Sequence, residues 1–193
     1  MKYTTLGNTG LLVSTLCLGT MTFGKSEGFF KLIGALDQKG ADELVNAAFN
    51  SGVNIFDTAD VYSEGQSEKL VGQSFKNLNI SRQDVVIATK ATLRVGPGRN
   101  DVGASRGHIM DAIDASLKRL QTDYVDLYQI HRFDSVVPIE ETLSALNDLV
   151  RAGKVGYLGA SSGPSWRMAQ ALAAAERRGW TKFVSMQNHY NLL

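Results

Sequence analysis

The sequence lacks the features that mark secreted, nucleic-acid-binding and metal-dependent proteins. Its 193 residues include one cysteine, so no disulfide framework can form within the chain. Lysine and arginine number 20 against 19 for aspartate and glutamate, and neither sign forms a block that could bind nucleic acid or an anionic membrane. No histidine has a second ligand at metal spacing. We therefore expect a small-molecule partner, no nucleic acid, no membrane and no metal, while the oligomeric state stays open.

One apolar run resembles the core of a secretory signal but is short and interrupted. It covers residues 11–21 (LLVSTLCLGTM) and follows GNTG, which is typical of a hairpin turn. A run of this length does not span a bilayer, and the turn argues against a signal peptide. Cys17 lies within it, where we expect a buried thiol rather than a nucleophile. A reducing, cytoplasmic setting fits best.

Strand-like runs alternate with single amphipathic helical segments after a predicted hairpin over residues 1–14. The predicted strands are STLCLGT, VNIFDTA, VVIATK, YVDLYQIH, KVGYLGAS and FVSMQNHYNL. Single helices between consecutive strands require right-handed crossovers and a parallel sheet. We predict one domain over residues 1–193.

Two parallel-sheet architectures compete, a doubly wound open sheet and a closed barrel of eight units. The open sheet favours a G-x-G-x-x-G fingerprint after its first strand, and LCLGTMTFG lacks that spacing. The glycines of residues 94–99 (RVGPGR) lie in a long polar loop, which predicts a surface loop rather than a phosphate site. The barrel is therefore favoured.

Four polar side chains stand at or just past the ends of predicted strands, namely Asp57, Tyr62, Lys90 and His131. In a barrel of parallel strands the carboxyl ends share one face, so these groups would converge. Tyr62 is the candidate proton donor, Lys90 a cation that favours phenolate, Asp57 the group that holds Lys90, and His131 a hydrogen-bond donor to substrate. Each has an ordinary structural explanation alone, but together they predict a proton-transfer site.

If this site reduces carbonyl groups, it also needs a redox cofactor, because none of the four groups can store a hydride. Ser161, Ser162, Gln187 and Asn188 stand at the ends of the last two predicted strands and offer groups suited to a nicotinamide carboxamide. Ordinary polar strand ends explain them equally well.

The chain resembles the aldo-keto reductase family along its whole length. The resemblance rests on GTMTFG, FDTADVYSEGQSE, the SLKRL…DYVDLYQIH segment and GASS…QNHYNL, which occur in order with the right strand context. It implies an α/β fold, a parallel (β/α)8 TIM barrel, with NADPH-dependent reduction of an aldehyde or ketone. It also implies a catalytic tetrad of Asp57, Tyr62, Lys90 and His131, with Tyr62 as general acid.

The same resemblance implies the binding residues. For the cofactor they are Gly19, Thr20, Met21, Asp57, Ser161, Ser162 and Gln187, and for the substrate Tyr62, His131, Phe29 and Phe30. The serine at 162 departs from the asparagine of many family members. The rival function is a regulatory subunit that binds nucleotide on the same scaffold, like channel-associated β subunits, and a third possibility is an inactive fragment.

The chain ends in the sixth predicted strand, so about six of the eight units of the family barrel are expected. In the family, the last two units carry the aromatic that stacks on the nicotinamide and the basic segment that binds the 2′-phosphate. With six units we expect an open barrel whose first and sixth strands are exposed edges. A shortened sequence, a cleaved remainder and closure by another chain are the possible explanations.

Overall fold

The computed structural model describes residues 1–26, 29–34 and 36–191. An antiparallel hairpin comes first, in which β1 (Tyr3–Thr5) pairs with β2 (Leu12–Ser14). Leu6 N–H donates to the Leu11 carbonyl at 2.9 Å and closes the turn between them. The hairpin predicted over residues 1–14 is confirmed.

A six-stranded parallel sheet follows, and its strands are hydrogen-bonded in chain order. The strands are β3 (Cys17–Gly19), β4 (Ile55–Asp57), β5 (Val86–Ala91), β6 (Val125–Ile130), β7 (Val155–Ser161) and β8 (Phe183–Gln187). A doubly wound sheet would reverse its strand order at a switch point, and this sheet has no reversal. It is a curled part of a barrel, as predicted.

Five α-helices connect these parallel strands and pack on the outer side of the sheet. They are α1 (Gln38–Asn50), α2 (Gln66–Asn77), α3 (Arg106–Leu120), α4 (Ile139–Arg151) and α5 (Ser165–Arg178). Local sequence sets their ends. Asp37 caps α1 by accepting from Gly40 N–H at 3.0 Å, and the Ser105 side chain caps α3 by accepting from His108 N–H. Gly179, in the left-handed region at φ 64°, ends α5.

Successive side chains along each strand point alternately to the two faces of the sheet, and the two faces have different surroundings. Phe56, Ile87, Tyr128 and Leu158 belong to the main hydrophobic core, together with helix residues. Their neighbours in sequence face the interior of the curled sheet, where a cavity of about 220 Å³ is bounded by side chains from several strands. The residues of that interior cavity include Leu6, Cys17, Ile55, Asp57, Ala88, Leu127, Gln129 and Gln187.

Two sequence-based expectations are wrong. Cys17 is exposed rather than buried, because β3 is an edge strand and the interior of the curled sheet is open beside it. The last strand was expected over residues 183–192 but ends at Gln187. Its partner β7 ends at Ser161, which is paired with Gln187, and Ser162 then turns away with φ 38°.

The segment after β3 contains a short 3-10 helix, Phe29–Leu32. Leu32 is largely exposed. The side chains of Phe29 and Phe30, predicted to touch substrate, lie outside what the structure describes. Across residues 1–26, 29–34 and 36–191, no helix is both long and apolar enough to cross a bilayer.

Candidate active site

A buried ion pair forms the centre of the site at the carboxyl ends of β4 and β5. Lys90 Nζ lies 2.6 Å from Asp57 Oδ2 and also donates to the Thr58 carbonyl at 2.9 Å. Asp57 is 8% exposed and Lys90 2%. A charge so well buried is stable only when it is paired and hydrogen-bonded, which both groups are.

Tyr62 stands beside this pair. Its hydroxyl oxygen is 3.5 Å from Lys90 Nζ, and that nitrogen is 5.2 Å from the centre of the tyrosine ring. The Tyr62 and His131 rings meet edge to face with centroids 5.8 Å apart. The structure therefore brings together all four groups that the strand-end pattern singled out.

His131 is a neutral imidazole at this site. Burial, followed by the positive charges of Lys90 and Arg132, lowers its pKa from 6.5 to about 4. Its Nδ1 is buried and has no hydrogen-bond partner among the residues that the structure describes. The other ring nitrogen, Nε2, is thus the one available to a small molecule.

The turn that carries Tyr62 is conformationally strained. Tyr62–Gly65 forms a short 3-10 segment in which Ser63 and Glu64 have φ of 47° and 58°, in the left-handed region that side chains rarely adopt. Ser63 is fully buried, and its hydroxyl donates to the Gly24 carbonyl at 3.3 Å. Such strain persists only where surrounding contacts hold it, and clusters at functional sites.

The predicted cofactor residues after β3 lie in different surroundings. A Cβ added to Gly19 would meet no atom within 4 Å, and Met21 is 43% exposed. The Thr20 side chain is instead buried between the Asp57 carbonyl, 3.1 Å away, and the Ser67 hydroxyl, 2.8 Å away. The structure leaves Gly19 and Met21 beside open space and turns the Thr20 side chain inward.

Ser161, Ser162 and Gln187 come together at the ends of β7 and β8. The Ser161 hydroxyl donates to the Gln187 carbonyl at 2.9 Å, and Ser162 N–H donates to the same carbonyl at 3.2 Å. The Gln187 side chain reaches Asp57, with Nε2 3.4 Å from Oδ2. Polar groups from these two strands therefore border the buried ion pair.

Gln129 is a site residue that the sequence prediction missed. It is 3% exposed, and its Nε2 lies 3.2 Å from Asp57 Oδ1 and 3.4 Å from Gln187 Oε1. Gln129 pairs in register with Lys90, which places both side chains in the interior of the sheet. The signal was available, since Gln129 precedes His131 by two positions and therefore points to the same side of the strand. A buried amide there needs a partner.

A metal centre is not indicated. Within the part of the chain that the structure describes, no three histidine, cysteine, aspartate or glutamate side chains are grouped so as to hold an ion. The chemistry available from these residues is proton transfer and hydrogen bonding.

The model of the Aldo/keto reductase family matches residues 15–193. The chain belongs to this family. It is 45% identical to an aldo-keto reductase of Fusarium vanettenii, over the whole chain and 57% of that relative. It is 42% identical to the versiconal hemiacetal acetate reductase of Aspergillus parasiticus, again over the whole chain and 60% of the relative.

The chain is also similar to a relative that is described as a channel subunit and not as a reductase. The chain is 40% identical to a probable voltage-gated potassium channel subunit beta of Arabidopsis thaliana, over the whole chain and 56% of that relative. In each of these comparisons the chain spans somewhat more than half of the relative's length.

Proposed function

We propose that this protein reduces the carbonyl group of an aldehyde or ketone with NADPH as the hydride donor. The observation that carries the proposal is the contact between Tyr62 and the buried pair, with Lys90 Nζ 3.5 Å from the phenol oxygen and 2.6 Å from Asp57 Oδ2. A phenol, a cation and a neutral imidazole on one open face can protonate and orient a carbonyl oxygen.

In this mechanism Tyr62 gives its proton to the developing alkoxide. Lys90 favours the phenolate that remains, because its ammonium group lies beside the phenol oxygen. Asp57 keeps Lys90 charged and in place, and Gln129 and Gln187 hold the two oxygens of Asp57 from the other side. The ion pair is thus organised before substrate arrives, which is what electrostatic catalysis requires.

His131 orients the substrate oxygen by hydrogen bonding and does not supply the proton. With its pKa lowered to about 4, it carries no acidic imidazolium near neutral pH. A neutral ring with its proton on Nε2 can donate to the carbonyl oxygen. That division leaves Tyr62 as the general acid among these groups.

The residues present fit a nicotinamide cofactor beside the tetrad, where NADPH, when bound, supplies the hydride. Gly19 leaves room for close approach, since a Cβ there would meet nothing within 4 Å. Ser161 has committed its own proton to the Gln187 carbonyl, so its hydroxyl oxygen is left as an acceptor for an amide N–H. Ser162 and Gln187 offer further polar groups at the same strand ends.

Substitution of Tyr62 by Phe tests the proposal. We expect the full-length Tyr62→Phe variant to lose at least about a hundredfold in aldehyde-dependent NADPH oxidation, because the proton donor is gone. NADPH binding, followed by fluorescence titration, should persist. Tyr3→Phe is the matched control, since the Tyr3 hydroxyl bonds the Gly52 carbonyl away from the site, and it should retain turnover. Unchanged turnover in Tyr62→Phe would contradict the assignment.

A nucleotide-binding regulatory role is the second candidate, and the similarity to the Arabidopsis channel subunit beta favours it. A regulatory subunit should bind NADPH saturably but oxidise it slowly with every member of an aldehyde and ketone panel. An inactive chain should show no saturable binding. Titrations of NADPH and NADH on the same sample also decide the preferred nucleotide.

A further inference from the structure

A second polar cluster lies on the outer side of the sheet, between β5 and β6 and the helices α2 and α3. Its centre is Glu68, which is fully buried. Glu68 accepts from the Thr89 hydroxyl at 2.6 Å and from Arg119 Nε at 2.6 Å. Arg119 also donates to the Ser116 hydroxyl at 3.2 Å. Glu68 and Arg119 therefore satisfy each other.

Asp60, next to this pair, is not satisfied. It is 2% exposed, and neither carboxyl oxygen has a hydrogen-bond partner within the described ranges. The Val61 N–H is near enough to favour the ionised form, but no hydrogen bond of acceptable geometry reaches either oxygen. Burial, and then the charge of Glu68, raise the pKa of Asp60 to about 8. A buried carboxyl without a partner is costly and rare in folded proteins.

Asp60 lines a cavity of about 550 Å³ that is separate from the tetrad. Asp101, His108, Asp111 and Arg119 line the same cavity. His108 is 6% exposed, and its Nε2 is a second buried polar atom without a partner. This volume falls in the range of about 300 to 1,000 Å³ that is typical of small-molecule sites.

The walls of the cavity indicate the charge of its ligand. Three of the residues that line it, Asp60, Asp101 and Asp111, carry carboxyl groups, and Arg119 is already paired with Glu68. Burial lowers the pKa of His108, so its ring is neutral near neutral pH, and Nε2 can accept a hydrogen bond when the proton is on the other nitrogen. His108 Nε2 is thus an acceptor that needs an N–H donor, and Asp60, with its pKa raised to about 8, accepts on both oxygens once it releases its proton.

A metal ion does not meet this requirement. In the described ranges, the carboxyl and imidazole groups of the cavity are not arranged as three or more ligands of one ion. A neutral polyol could donate hydrogen bonds but would leave the charges of Asp101 and Asp111 uncompensated. An ammonium group supplies both the donors and the opposite charge.

We propose that the cavity lined by Asp60, His108, Asp101 and Asp111 binds a small organic ammonium ion. Its N–H groups donate to His108 Nε2 and to the Asp60 carboxyl, which releases its proton to solvent when the cation binds. The carboxylates of Asp101 and Asp111 add negative charge to the cavity wall. Because no hydrogen bond holds the Asp60 carboxyl, the side chain can rotate toward the ligand without breaking one.

The site adjoins the active-site loop without being part of it. Asp60 N–H donates to the Lys90 carbonyl at 3.0 Å, and Tyr62 follows two residues later. Among the described residues, the Asp60 side chain makes no hydrogen bond with the Asp57–Lys90 pair. Ligand binding can therefore be measured separately from catalysis.

Calorimetric titration of the full-length protein with 1,4-diaminobutane tests the proposal, with 1,4-butanediol as the uncharged probe of similar length. We expect saturable binding of the diamine and none of the diol. At about pH 9, where the wild-type Asp60 carboxyl with its pKa of about 8 is ionised, Asp60→Asn keeps the shape but removes the charge and should weaken diamine binding by about tenfold or more. Asp84→Asn, which removes an exposed carboxylate on another part of the chain, should leave it unchanged.

Several outcomes overturn the proposal. One is that the diamine does not bind, or that it binds equally to wild type and Asp60→Asn. Another is that the diol binds as well as the diamine. The proposal also fails if Mg²⁺ or Zn²⁺ binds, Asp60→Asn abolishes that binding, and the diamine does not compete with the metal ion. Circular dichroism shows whether Asp60→Asn is folded. If it is not, His108→Leu removes the second acceptor, and unchanged diamine affinity in that variant overturns the proposal instead.

Discussion

Lys90 Nζ and Asp57 Oδ2 lie 2.6 Å apart in surroundings that leave the lysine side chain 2% and the aspartate side chain 11% exposed. Three further groups complete the bonding of this pair, because Lys90 also donates to the Thr58 carbonyl and Asp57 accepts from Gln129 and Gln187. The pair is thus a structural centre as well as the proposed support for Tyr62.

Removal of one partner should therefore destabilise the protein strongly. Lys90→Met leaves the buried Asp57 carboxyl with only amide partners, and we expect a loss of about 3 to 5 kcal/mol in the free energy of unfolding measured with urea. Lys154→Met is the control. It breaks the exposed Lys154–Asp114 pair, whose side chains are 34% and 59% exposed, and should cost less than about 1 kcal/mol. Similar losses in the two variants would contradict this view.

Asp60 should make the protein less stable as pH rises. Its pKa is raised from 3.8 to about 8, so between these values the unfolded chain has released the proton that the folded chain keeps. The unfolded state binds fewer protons there, and the free energy of unfolding falls with rising pH.

Asp60→Asn should remove that dependence and unfold at higher temperature than wild type near pH 8, in buffer free of amines. Thermal unfolding from about pH 6.5 to about pH 8 is the measurement. This window avoids His131, which acts in the opposite direction. Its pKa is lowered to about 4, so it contributes stability that is lost as pH falls below 6.5. Parallel pH profiles for wild type and Asp60→Asn would contradict the prediction.

Cys17 should be accessible but slow to react. The thiol lies at the open interior cavity, yet surrounding protein atoms and then the charge of Asp57 raise its pKa from 9.0 to about 12. Since the thiolate is the reactive species, its reaction with a disulfide reagent near pH 8 should be slower by about a factor of a thousand than in urea-unfolded protein. Equal rates in the folded and unfolded states would show that the thiol titrates normally.

Gly72 should be essential for the packing of α2 on α3. A Cβ added there would lie 2.4 Å from the Leu120 carbonyl oxygen, which is backbone and cannot move aside alone. Gly72→Ala should lower the free energy of unfolding by about 1 to 3 kcal/mol.

Gly107→Ala is the matched control, because Gly107 also lies in a helix but a Cβ there meets no atom within 4 Å. It should leave stability unchanged or raise it by up to about 1 kcal/mol, as expected for alanine in place of glycine in a helix. Denaturation of both variants with urea measures the difference. A loss of stability in Gly107→Ala equal to that in Gly72→Ala would contradict the packing explanation.

The order of helices and strands and the four strand-end groups followed from sequence because both depend on local patterns. Apolar runs of strand length and amphipathic helical periods identify each unit, and in a parallel barrel every strand end lies on one face. Asp57, Lys90, Tyr62 and His131 could be grouped without any knowledge of distances. Their roles in catalysis remain predictions for the experiments above.

Other features depended on which face each side chain occupies across neighbouring strands. Gln129 looked like one polar residue in an apolar run, and only its register opposite Lys90 brings it to Asp57. Thr20 stood next to Gly19 in a predicted cofactor segment, but its hydroxyl bonds the buried Ser67. Adjacent residues on a strand point in opposite directions. A residue that is close in sequence to a site residue therefore need not contribute its own side chain to the site.

The sequence by itself determined the family, the alternation of strands and helices, and the set of groups at the strand ends, because these are local patterns. Only the tertiary structure decided that Cys17 is exposed at an open sheet edge and that Asp60, three residues from Asp57, lines a separate cavity behind the sheet. The burial of a side chain and the hydrogen bonds that it makes depend on contacts with residues distant in sequence. They are defined only once the sheet has curled and the helices have packed on it.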